Sequence, residues 1–159
     1  MKVLMIYPSF PRTFWSFKYA LKFISKKATH PPLGLLTIAA MLPIQWEKKL
    51  VDMNVDTLKD KDIMNADLVF ISAMSIQLAS VKEVVDRCKK MGVKMVAGGP
   101  LFTGEYQDFA DINHLVLNEA EITLPLFLAD LENGCAKHIY TTTEFADIEK
   151  TVIPLWSMI

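Results

Sequence analysis

Met95-Val96-Ala97-Gly98-Gly99-Pro100 is the stretch on which the reading of this chain turns: an apolar run that ends in paired glycines and a proline. Two other runs have the same form. They are Val69-Phe70-Ile71-Ser72-Ala73-Met74-Ser75 and Leu115-Val116-Leu117-Asn118-Glu119-Ala120-Glu121. Each breaks into small or polar residues at its carboxyl end, which is where open α/β sheets bind ligands. The three tips are expected to form one site able to take a large phosphate-bearing ligand.

Outward from these runs, strand-like and helix-like patterns alternate. Residues 2–7 read as a buried strand, and residues 32–42 as a helix opened by proline and closed by Pro43. Residues 46–53 and 67–73 read as the second and third strands. An amphipathic helix over 78–91 carries Val81, Val84, Val85 and Cys88 on one face and ends at Gly92. Residues 93–97 and 114–117 complete five strands, and 121–132 reads as a last helix stopped by Asn133 and Gly134. Continuous apolar strands separated by helices imply a parallel sheet covered on both faces. The expected fold is α/β, a doubly wound, flavodoxin-like Rossmann sheet of five strands in the order 2-1-3-4-5. Its switch point between strands 1 and 3 places Pro8 and Ser72 beside the crevice.

One connection is abnormal. Residues 9–31 follow the first strand, where about 2–6 residues are usual. They hold Phe10, Phe14, Trp15, Phe17, Tyr19 and Phe23. The insertion is therefore expected to be ordered, with a short helix over 14–25, and to act as a lid or docking surface beside the site; a local aromatic mini-core is the alternative. Residues 1–135 read as the domain. Residues 136–159, with a strand-like 139–142 and an apolar end, read as a tail or linker toward something larger.

At 159 residues and 52% hydrophobic content, the chain fits one domain with a substantial core. Its 17 basic and 18 acidic residues, for a net charge of -1, give no electrostatic reason to expect nucleic acid or an anionic membrane. The longest apolar stretch falls short of the roughly 20 residues that cross a bilayer. No signal peptide is evident, so a cytoplasmic protein is expected. Cys88 and Cys135 lack the spacing of a zinc or iron–sulfur site and read as free thiols.

Three familiar nucleotide sites fail at specific positions. Dinucleotide binding needs glycines after the first strand, where Tyr7-Pro8-Ser9-Phe10-Pro11 stands. A phosphate loop ending in Gly-Lys-Ser/Thr is missing. A phosphorylatable receiver needs an aspartate where Ser72 sits.

Read together, Pro31-Pro32-Leu33-Gly34-Leu35-Leu36, Phe70-Ile71-Ser72-Ala73-Met74, Ala97-Gly98-Gly99-Pro100 and Asn118-Glu119-Ala120-Glu121 resemble the amino-terminal cobalamin-binding domain of B12-dependent radical SAM proteins. The resemblance spans nearly the whole chain and extends to Ile153-Pro154-Leu155-Trp156, which is similar to the segment leading into the radical SAM barrel. It implies a cobalamin whose nucleotide tail threads between strand tips, presented to a downstream radical SAM domain for methyl transfer or related radical chemistry. There a [4Fe–4S] cluster and S-adenosylmethionine are the further cofactors. The alternative is a non-catalytic interaction domain whose pocket is filled. The cluster signature CxxxCxxC is absent from this chain, so the chain alone is a binding domain. The cobalt-ligating DxHxxG motif is absent too, which leaves the lower face of cobalt to water, nothing or a non-histidine side chain; with the tail threaded between strand tips, the expected cobalamin is base-off and His-off.

The resemblance puts cofactor contacts at Pro8, Ser9, Pro32, Leu33, Gly34, Ser72, Ala73, Met74, Ser75, Gly98, Gly99, Pro100, Glu119, Ala120 and Glu121. Ser72 would hydrogen-bond the buried tail, the glycines would leave room for it, and Met74 and Ser75 would lie under the corrin. Glu121 serves equally as a helix-start residue. Asn118 stands where the family carries glycine. His30 reads as a surface loop histidine, with cobalt ligation as its alternative.

Overall fold

A computed structural model describes residues 1–11, 28 and 30–159. The expected helix over 14–25, and with it the ordering of the insertion, lies outside the described residues.

Six strands form one parallel sheet: β1 Lys2–Tyr7, β2 Glu47–Asp52, β3 Leu68–Ser72, β4 Lys94–Gly98, β5 His114–Val116 and β6 Ile139–Tyr140. Their order is β2-β1-β3-β4-β5-β6. Every neighbouring pair is parallel. The five-strand expectation is thus corrected to six. Residues 139–140, read from sequence as part of the tail, pair with Leu115 and Val116 of β5. Such a strand is too short to carry a recognisable periodicity, and its Tyr140 is buried instead by the helix before it.

Among the described residues five α-helices connect the strands: α1 Leu33–Met41, α2 Asp60–Met64, α3 Leu78–Lys90, α4 Pro100–Glu105 and α5 Ala120–Glu132. Alternation along each strand divides the core in two. Leu4, Ile6, Val69, Ile71, Met95 and Ala97 pack under α2, α3 and α4. Val3, Met5, Leu68, Phe70, Val96 and Val116 pack under α1 and α5. Covering both faces is what lets the strands be apolar throughout.

α3 behaves as its sequence suggests, turning Val81, Val84, Val85 and Cys88 inward and its charges outward. α1 does not. Its sequence, Leu-Gly-Leu-Leu-Thr-Ile-Ala-Ala-Met, is apolar on every side, so one contact with the sheet cannot bury it. The second cover comes from the carboxyl-terminal segment. The Leu155 amide donates to the Leu36 carbonyl at 3.0 Å, and Leu155 and Met158 pack against the α1 side of the core.

The β1 tip is tied down internally. Pro8 is buried, and its carbonyl accepts from Gln77 Nε2 and, at 3.3 Å, from Asn54 Nδ2. Gln77 Oε1 accepts from the Met74 amide at 2.8 Å. The buried Asp52 accepts from the Asn54 amide at 2.9 Å and from its side chain at 2.7 Å, while the Ser9 amide donates to Ser80 Oγ at 3.0 Å.

Candidate functional site

Register sets the floor of the site. Ser72 pairs with Gly98 and Gly98 with Val116, so these three form a row across β3, β4 and β5 at their carboxyl ends. Ser72 continues the parity of Leu68 and Phe70, and Gly98 that of Val96; the row therefore faces α1 and α5. Between those helices a cavity of about 260 Å³ opens above it. Its walls are Gly34, Leu35, Thr37 and Ile38 of α1, the Gly98-Gly99-Pro100 turn, and Asn118, Glu119, Ala120, Glu121 and Leu124 at the start of α5.

The two glycines do different work. A Cβ on Gly98 would stand 2.5 Å from the Val116 carbonyl oxygen, so its absence lets β4 and β5 close at this height. Gly99 has φ +92° with an extended ψ of 178°, a region essentially reserved for glycine. A Cβ there would also lie 2.7 Å from Ser72 Oγ and 3.3 Å from the Ala73 carbonyl. Gly34 is the opposite case: a side chain at that position meets open space.

Ser72 is half-buried beside the cavity. Its hydroxyl makes no hydrogen bond among the described residues. Glu119 and Glu121 add carboxylate acceptors, and no lysine or arginine is among the described residues that line the walls. The described walls therefore favour neutral groups that donate hydrogen bonds over a bare phosphate. Glu121 in the first turn of α5 also offsets the helix dipole that would otherwise attract an anion.

Of the sequence-expected residues, Gly34, Ser72, Gly98, Gly99, Pro100, Glu119, Ala120 and Glu121 line this cavity together. Leu33, Met74 and Ser75 are exposed at the same end of the sheet, Leu33 at 52% and Met74 at 48%, next to Ile76 at 57%. Pro32 is buried at the entry to α1. Ala73 is 1% exposed in the opposite core, because one residue past Ser72 the strand's alternation turns the side chain away. Pro8 and Ser9 also lie outside the lining, their polar atoms held by Asn54, Gln77 and Ser80. His30 is exposed. Thr37, Ile38 and Leu124 were not singled out from the sequence. Helical spacing of three and four residues from Gly34, and three from Glu121, was the signal that could have found them.

Asn118 supplies the one positive φ among non-glycine residues described, +61°. Asparagine is among the few side chains that tolerate this region, which accounts for its standing where glycine is expected. Its backbone N–H donates to Thr103 Oγ1 at 3.1 Å, and Nδ2 to Thr141 Oγ1 and the Thr142 carbonyl, each at 2.8 Å.

Other features carry less chemistry. A larger depression of about 720 Å³ lies between α1, β2 and the tail, lined by Ile44, Trp46, Lys48, Leu155 and Met158. It sits at the sheet edge beside β2, away from the strand tips, with Lys48, Lys49 and Ser157 as its polar residues. Burial pushes the Cys88 thiol up to about 11, so it is a protonated core residue at neutral pH. Among the described residues no cluster of His, Cys, Asp and Glu could hold a metal ion, and no helix is long and apolar enough to cross a membrane.

Comparison with known proteins gives three findings. The family model described as B12 binding domain matches residues 23–128. An uncharacterized methyltransferase, sll1242, of Synechocystis is 40% identical over 100% of this chain. The hopanoid C-2 methylase of Rhodopseudomonas palustris strain TIE-1 is 25% identical over 99% of it. The chain spans only 30% and 31% of the lengths of these two relatives. No solved structure matches.

Proposed function

This chain belongs to the B12 binding domain family, and we propose that its cavity between α1 and α5 receives the nucleotide tail of a cobalamin while the corrin ring lies over the exposed strand tips. The observation that carries the reading is that the cavity's lining, from Gly34 to Leu124, falls within the matched residues 23–128 and opens at the carboxyl ends of three strands. The residues fit the group. About 260 Å³ suits one arm of a corrinoid and not its macrocycle. Ser72 offers a hydroxyl, and Glu119 and Glu121 accept from ribose hydroxyls or corrin amides. With no cation among the described wall residues, the single phosphate is placed at the wet mouth, since burying an unpaired charge is costly. Leu33, Met74, Ser75 and Ile76 give the ring a surface to rest on, and the buried Pro32 sets the start of α1 that presents Leu33.

When bound, a cobalamin supplies a cobalt centre that can carry a methyl group. The names of the two relatives, a methyltransferase and a methylase, support a role in methyl transfer. In the full protein this domain presents the cobalt to a radical SAM domain, which brings the [4Fe–4S] cluster and S-adenosylmethionine. The binding domain, read from the sequence as residues 1–135, extends through β6 to Tyr140, and the segment after it leads onward while covering α1. A nucleotide tail held in the cavity would keep the benzimidazole off cobalt, and with no DxHxxG motif after β1 no histidine of that motif would hold the metal. A protein that remains red after hydroxocobalamin and gel filtration supports the reading; colourless folded protein supports the alternative interaction domain. Electron paramagnetic resonance of the cobalt(II) complex tests the axial state. A nitrogen splitting lost in His30→Ala would assign His30 to cobalt.

A further inference from the structure

Among the described residues, the segment after β6 is hydrogen-bonded to the rest of the fold at three places, two on residues that line the cavity and one beside them. Thr141 and Thr142 are held by the Asn118 side chain at 2.8 Å each. Thr151 Oγ1 reaches Glu121 Oε1 at a long 3.5 Å. The Leu155 amide donates to the carbonyl of Leu36 at 3.0 Å. Asn118 and Glu121 line the cavity on the α5 side, and Leu36 lies between lining residues Leu35 and Thr37 on the α1 side. The segment thus runs from one wall to the other, and its Leu155 and Met158 press on α1 from outside the sheet.

We propose that residues 141–155 act as a strap that sets the spacing of the two cavity walls, with Asn118 as the positioning residue that fastens it. α1 is apolar on all sides and rests on the strap as well as on the sheet, so loosening the strap loosens the wall that carries Gly34 and Ile38. By linkage the converse holds: a ligand that fixes the walls also fixes the strap. The inference deepens the cobalamin reading and rests on it only where a ligand is involved.

Asn118→Gly is the clean perturbation, because glycine keeps φ +61° without strain and deletes only the two bonds to the strap. Leu155→Pro removes the donor at the other end. The test is amide exchange, read by mass spectrometry on the full chain, without ligand. Asn118→Gly is expected to speed exchange about tenfold over 36–40 as well as over 151–155, equivalent to ~1.4 kcal/mol of local opening, and to leave β3 and β4 unchanged. Unchanged exchange over 36–40 overturns the strap. With hydroxocobalamin, each variant is expected to bind several-fold more weakly, and the double variant no more weakly than the worse single one, since both cut one device. Additive losses overturn the proposal, because a merely local structural role at each site gives additivity. Failure of the unsubstituted chain to take up any corrinoid sinks the cobalamin reading instead, and the ligand-free exchange still decides the strap.

Discussion

Replacing Gly34 separates the cost of folding from the cost of binding. Gly34 is the second residue of α1 and lines the cavity, and a Cβ built on it has no heavy atom within 4 Å. Nothing in the fold needs a glycine there. An alanine removes backbone entropy from the unfolded chain and is expected to stabilise by about 0.5–1 kcal/mol, a rise of roughly 1–4 °C in a domain of this size. Gly34→Phe folds for the same reason but carries a ring into the mouth of a cavity of only about 260 Å³. Hydroxocobalamin affinity, read by spectral titration, should fall at least tenfold, or about 1.4 kcal/mol. A Gly34→Phe protein that melts at or above the original temperature and binds with unchanged affinity would refute the placement of the ligand. Gly99→Val cannot serve this purpose. It forces a β-branched residue to φ +92° and a Cβ to 2.7 Å from Ser72 Oγ, so lost binding would come with lost stability.

Ser72→Ala should leave the melting temperature within about 0.5 kcal/mol of the original and weaken hydroxocobalamin binding three- to tenfold, the worth of one hydrogen bond of roughly 0.5–1.5 kcal/mol, as measured by the same titration. Asn118→Ala should melt lower than Asn118→Gly by about 1 kcal/mol, because alanine is strained at φ +61° and glycine is not; chemical denaturation reads the difference. Cys88 gives a pH signature. Its thiol is raised in the fold from an ordinary value near 9 to about 11, so its contribution to stability is complete below pH 9 and is lost as pH rises through 11. Two units at about 1.4 kcal/mol each set an upper bound near 3 kcal/mol. Denaturation midpoints should therefore fall less steeply between pH 9 and 11 in Cys88→Ala than in the parent.

The strands and the long helices were legible because their patterns are local: the runs at 69–71, 95–97 and 115–117 are β3, β4 and β5, and Val81, Val84, Val85 and Cys88 are the inner face of α3. What escaped was set by tertiary contact. α2 is five residues, Asp-Lys-Asp-Ile-Met, with one buried side chain and no period to detect. α4 begins directly at Pro100, so the residues read only as a ligand loop also open a helix. β6 is two residues long and belongs to the sheet only through β5. In the site, residue type was informative and direction was not: Ser72 and Ala73 are adjacent in a strand and face opposite cores. Pro8 and Ser9 sit at the expected switch point, yet Asn54, Gln77 and Ser80, distant in sequence, have taken their polar atoms. The uniform apolarity of α1 was the one sequence clue that the tail must return to cover it.

Cobinamide, which lacks the nucleotide tail, provides the most direct test of the central claim that the cavity above Ser72 and Gly98 takes that tail. Parallel titrations of the chain with hydroxocobalamin and with diaquacobinamide should show cobalamin bound base-off and at least tenfold more tightly. Equal affinity for the two corrinoids, or a bound cobalamin whose benzimidazole still ligates cobalt, would contradict it.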